Sequence, residues 1–122
     1  MLTFKPTTMS GIPLVTALRA VGAVYGHHKI EAVVSSLNDG QHMVGSLHYQ
    51  DKALDVRTWS IPEQANPCLT QEQMAPLCKQ IILELITILG PSFQVIFETD
   101  KVVDSKQVRT QHIHIEYQPK EA

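Results

Sequence analysis

From residue 110 to 117 the chain reads Thr-Gln-His-Ile-His-Ile-Glu-Tyr, and this alternation constrains the fold more than any other stretch. Successive side chains of an extended strand point to opposite faces. His112, His114 and Glu116 therefore share one face, and Ile113 and Ile115 share the other. Such a strand belongs in a sheet with one face in the core and one face carrying polar groups. Residues 53–58 repeat the pattern: Leu54 and Val56 point inward, while Asp55 shares the opposite face with Ala53 and Arg57. The plain reading of Arg57 is an ion pair with Asp55.

The remaining elements follow from periodicity and punctuation. Residues 12–25 are apolar except for Thr16 and Arg19, and Leu14, Leu18, Val21 and Tyr25 recur at helical spacing. Ser10 is placed to cap this helix, Pro13 falls in its first turn, and Gly26 is expected to end it. Arg19 interrupts the apolar run and the run is too short to span a bilayer, so it reads as a core helix rather than a signal peptide. Residues 30–36 are rich in β-branched side chains and read as a strand, followed by a turn at Asn38-Asp39-Gly40.

Residues 61–67 form a loop. Residues 70–89 are the strongest helical stretch, with Leu77, Ile81, Leu85 and Ile88 as the expected stripe and Met74, Cys78 and Ile82 widening it. Thr70 and Gln73 have capping-box spacing, but Pro76 moves the expected start of the regular helix to about Ala75. Gly90-Pro91 stops it. Residues 93–98 and 110–117 then read as antiparallel strands joined by a polar loop over 99–109, and the last few residues as a frayed tail.

A chain of 122 residues is expected to form one domain with a single core. A charged fraction of 18% and a hydrophobic fraction of 43% belong to an ordinary globular protein. The formal charge of −2 argues against dependence on nucleic-acid phosphate. Cys68 and Cys78 have neither metal-knuckle nor redox spacing and read as free, partly buried thiols that identify no compartment.

The six histidines carry more information. Six residues separate His48 from Asp55, and one separates His112 from His114, so a loop and two strands could converge on one metal. Two imidazoles and a carboxylate leave a tetrahedral zinc ion one open position, as catalytic sites require. A histidine in a loop, such as His27, His28 or His42, is more commonly a solvated or hydrogen-bonded side chain than a catalyst.

The joint pattern resembles a known family. Ser46-Leu47-His48-Tyr49, Ala53, Asp55, Thr58 and His112-Ile113-His114 are similar to the motifs of the zinc peptidases that group D-alanyl-D-alanine metallopeptidases, lysostaphin-type enzymes and hedgehog amino-terminal domains, most of all the hedgehog version. The likeness runs loosely over residues 11–117. It implies an α+β domain whose antiparallel sheet bears a zinc site on one face and packs two main helices on the other. It also implies His48, Asp55 and His114 as zinc ligands, with His42 and His112 stabilising an oxyanion. Two departures stand out: Asp51 replaces a usual glycine, and Gln111 occupies the place of the Glu in the common Glu-x-x-His motif. In the hedgehog-like pattern a glutamate closes the preceding strand, which implies Glu98 as general base and acid; Asp100 and Glu116 are alternatives.

The function implied is zinc-dependent hydrolysis of amide bonds in peptidoglycan stem peptides. Without an evident signal peptide or wall-binding module, a bacteriophage lysis enzyme or virion-associated wall hydrolase is the setting by analogy. Such a protein is made in the cytoplasm, acts on the bacterial cell wall, and has no nucleic-acid or membrane partner. Two other readings stand beside it: a non-catalytic hedgehog-like zinc domain that binds a protein or wall peptide, and a structural component whose metal only stabilises the fold.

Overall fold

The computed structural model describes residues 2–4, 12–36, 53–65, 70–99, 101–103, 106–108 and 111–118. His42, His48, Asp51, Cys68 and Asp100 lie outside the described residues. The elements are β1 (Leu2–Phe4), α1 (Ile12–His27), β2 (Ala32–Ser36), β3 (Ala53–Arg57), α2 (Pro76–Leu89), β4 (Phe93–Glu98), β5 (Lys101–Val103), β6 (Lys106–Val108) and β7 (His112–Tyr117). Five strands form one sheet in the order β1-β2-β3-β7-β4. Strands β2, β3, β7 and β4 pair antiparallel, giving the expected α+β fold. β1, too short for its alternation to mark it as a strand, adds a parallel strand at the edge beside β2.

One face of the sheet is apolar. Leu54, Val56, Val95, Phe97, Ile113 and Ile115 meet Leu14, Leu18, Val21 and Tyr25 of α1 and Cys78, Ile81 and Leu85 of α2 in a single core. Each fully buried aliphatic side chain of this kind contributes roughly 1.5–3 kcal/mol of transfer free energy. The buried stripe of α2 is Cys78, Ile81, Leu85 and Leu89, whereas Ile88, expected in the stripe, is 58% exposed. A three-residue step beyond Leu85 turns about 300° and a four-residue step about 400°; the inward direction therefore passes to Leu89.

The end of α1 also departs from expectation. The helix continues through Gly26 to His27. Lys29 takes the left-handed conformation (φ 59°), its N–H bonds the Gly26 carbonyl at 3.0 Å, and the Ile30 N–H bonds the Tyr25 carbonyl at 3.0 Å. These bonds make a Schellman cap, in which a lysine accepts the backbone geometry more often given to glycine. Ile30 is spent on closing the helix, so β2 begins later than residue 30.

α2 starts at Pro76 with Ala75 as its N-cap, close to the expected Ala75. Thr70 and Gln73 do bond one another, but in the turn ahead of the helix. The loop expected over 99–109 contains a short hairpin, β5 paired with β6. Cys78 is fully buried rather than partly so, and burial pushes its thiol pKa up to about 12. It acts as a small core side chain rather than a nucleophile.

Candidate metal centre

The face of the sheet turned away from the helices gathers the titratable residues. β7 lies between β3 and β4, so its histidines have a neighbour on each side. In register, His114 stands opposite Asp55 of β3, and His112 stands opposite Glu98 of β4. The His114 Nδ1 lies 2.7 Å from Asp55 Oδ1 and 3.7 Å from Glu98 Oε1. The His112 Nε2 lies 2.8 Å from Glu98 Oε1 and 3.5 Å from Asp55 Oδ1. One ligand atom from each of Asp55, Glu98, His112 and His114 falls within 4.8 Å of all the others, so this group could hold a metal ion.

The donor set suits a metal in its dimensions as well as its chemistry. Zinc bonds of about 2.0–2.2 Å in a tetrahedral shell put neighbouring ligand atoms about 3.3–3.6 Å apart. The observed separations bracket that range, and the two shortest are hydrogen bonds that would open when a cation replaces the shared proton. Glu116 supports the arrangement from behind, with its Oε1 3.4 Å from His114 Nε2. A carboxylate on the far nitrogen fixes the ring orientation and raises the basicity of a ligating imidazole. A register slip in β2 between Val34 and Ser36 sets Ser36 opposite Asp55, so a bulge flanks the site as bulges commonly do.

His114 feels opposing influences. Burial disfavours its charged form, but the hydrogen bond that its Nδ1–H donates to Asp55 and the charges of Asp55, Glu98 and Glu116 together outweigh burial and raise its pKa above the ordinary histidine value. A raised folded-state pKa stabilises the fold fully below the unfolded value and loses that contribution as pH rises through the folded value. The metal-free protein should therefore melt lower at about pH 8 than at about pH 6, in the range where histidine titrates. A cation held by this group would compete with the same proton, so any rise in melting temperature caused by added zinc should grow over that interval. Thermal melts with and without zinc check both trends. A metal-free melting temperature that stays flat or rises with pH would contradict this account of His114.

Gln111 does not take part in the cluster. It is 2% exposed on the core side of the sheet, and its Nε2 donates to the Gln64 carbonyl at 2.7 Å. Gln64 is itself buried, and its Oε1 accepts the Ala75 N–H at 2.7 Å. The two amides tie the turn after β3 to the start of α2 and the start of β7. A carboxylate at position 111 would bring a charge into that core and could not donate, so the missing Glu-x-x-His motif has a structural reason.

Of the residues expected in the site, Asp55, Glu98, His112 and His114 are brought together. His42 and His48 lie outside the described residues. His28 belongs elsewhere: its Nε2 is 3.0 Å from Glu84 Oε2 on α2, and that hydrogen bond, outweighing the effect of burial, lowers the Glu84 pKa. The expected Arg57–Asp55 pair is replaced by a different contact. Asp55 Oδ1 faces the two imidazoles, while the Arg57 guanidinium carbon lies 4.8 Å from the centre of the Trp59 ring. Trp59 lies in the turn just after β3, so strand alternation does not assign it a face, and only the fold brings its ring to Arg57.

Comparison with known protein families, with curated proteins and with solved structures returns no match. No helix among the described residues is long and apolar enough to cross a membrane.

Proposed function

We propose that the protein is a zinc-dependent peptidase that hydrolyses amide bonds in peptidoglycan stem peptides. The observation that carries this reading is the convergence of Asp55, Glu98, His112 and His114 on one sheet face, with ligand atoms within 4.8 Å of one another. Asp55 and His114 hold the zinc together with His48, and Glu116 orients His114. Bound there, zinc supplies a Lewis acid that polarises the amide carbonyl and lowers the pKa of a water molecule.

The protein's own groups do the rest. Glu98, with 45% of its side chain exposed, takes the proton of the attacking water and passes it to the departing amine. The His112 Nε2, within 2.8 Å of Glu98, donates a hydrogen bond to the carbonyl oxygen as negative charge develops there. A bacteriophage lysis enzyme or virion-associated wall hydrolase is the setting that fits this chemistry. The structural use of Gln111 favours one second reading, a zinc domain that binds a wall peptide or protein without cutting it.

The deciding experiment is incubation of zinc-loaded protein with purified peptidoglycan, followed by measurement of newly released amino groups. Release that stops on chelation and returns on re-addition of zinc is expected. If zinc is bound stoichiometrically and no amino groups appear, the binding-domain reading replaces the peptidase.

A further inference from the structure

We propose that Arg57, held over the Trp59 ring beside the metal-ligand group, is a carboxylate clamp that binds a free carboxylate of the molecule occupying the site. This rests on the reading of that group as the place where the ligand is bound. Arg57 stands opposite His112 in the β3–β7 register, on the same sheet face, and two residues along the strand from Asp55. Directly opposed side chains start only about 4.5–5.5 Å apart at Cβ. The clamp therefore borders the cluster.

The contact with Trp59 anchors the guanidinium. Its carbon lies over the Trp59 ring at 4.8 Å, a cation–π contact that uses the ring face and takes up none of the carboxylate partners its N–H groups can bind. Both side chains are exposed, Trp59 at 41%. Among the described residues no carboxylate lies within 4.0 Å of Arg57, since Asp55 faces the histidines instead. An arginine held by an aromatic ring has already lost part of its rotamer freedom, so a ligand bonds it at a smaller entropic cost.

Charge and geometry select the ligand. A single guanidinium matches a planar carboxylate with two parallel hydrogen bonds. Asp55, Glu98 and Glu116 stand on the same face, so a monoanion is accommodated there with less repulsion than a dianionic phosphate. Two strand positions span about 6.7 Å, the length of about two extended residues. The carboxylate is thus expected within about two residues of the group that sits at the metal cluster.

Trp59 is the single tryptophan of the chain, so its fluorescence reports directly on the clamp. N-acetyl-alanyl-alanine, in L- and D-forms, and the corresponding C-terminal amides would be titrated into zinc-loaded and chelator-treated protein. The native protein should bind an acid about tenfold more tightly than its amide, the size of a charge-assisted hydrogen bond, with a change in Trp59 emission. Arg57→Gln should remove the preference, and Arg57→Lys, which keeps the charge but not the fork, should retain only part of it. Equal binding of acid and amide, no binding of either, or a preference that survives in Arg57→Gln would overturn the clamp. An Arg57-dependent preference in a protein that cuts no peptidoglycan would sink the peptidase reading and leave the clamp standing. Zinc-dependent hydrolysis without that preference would do the reverse.

Discussion

Under the proposed peptidase function, Glu98→Gln is expected to leave zinc binding intact and to lower hydrolytic activity by about 10²–10⁴-fold, the usual contribution of a positioned general base. Glutamine has nearly the same shape and can still bond His112, which lies 2.8 Å from the Glu98 carboxylate. Its amide cannot accept the proton of water. Glu98 closes β4, and its register partner is His112, so its position depends on strand pairing rather than on the intervening hairpin. Its Oε1 is also 3.7 Å from His114 Nδ1, close enough to join the metal shell. Zinc content therefore separates the roles: a Glu98→Gln protein that loses its zinc identifies Glu98 as a ligand. Equal activity in native and variant proteins would remove Glu98 from the mechanism.

Asp55→Ala is expected to weaken zinc binding by more than about a hundredfold, which is already the upper range for losing a mere orienting partner of a ligand. Asp55 is the carboxylate nearest His114, at 2.7 Å, and it also reaches toward His112 at 3.5 Å. Its removal takes away the largest influence that raises the His114 pKa, so the substitution should also flatten the pH dependence of metal-free melting. Competition against a zinc-sensitive dye measures the affinity. His48→Ala and His112→Ala complete the series: with His48 as the third ligand, its loss should lower zinc content while His112→Ala keeps the metal and loses activity. The opposite pair of results would make His112 the ligand. Native affinity in Asp55→Ala would show that the metal, if bound, is held elsewhere.

Much of the fold was legible because the decisive signals are local. The parity of Leu54 and Val56 against Asp55, and of Ile113 and Ile115 against His112 and His114, follows from the two-residue strand repeat without knowledge of any neighbour. The buried stripe of α1 followed from the 3.6-residue repeat in the same way. What the sequence reading missed depends on distant partners. Gly26 looked like a helix stop, yet Lys29 closes the helix because Ile30 gains burial against the core. Gln111 looked like a lost catalytic acid, and only its bond to Gln64, 47 residues away, shows its role. The pairing of β1 with β2 and of β5 with β6 could not be read from three-residue strands, which carry too little periodicity to register.

Which side chains share a face follows from alternation and helical repeat, properties of a few consecutive residues. Which faces meet depends on pairings between distant segments. Asp55 and His114 are 59 residues apart and Glu98 and His112 are 14 apart, and they converge only because β7 takes the position between β3 and β4 in one particular register. A shift of one residue would turn both histidines into the core, so burial of Ile113 and Ile115 holds that register. The candidate metal centre on one face is thus aligned by hydrophobic packing on the other.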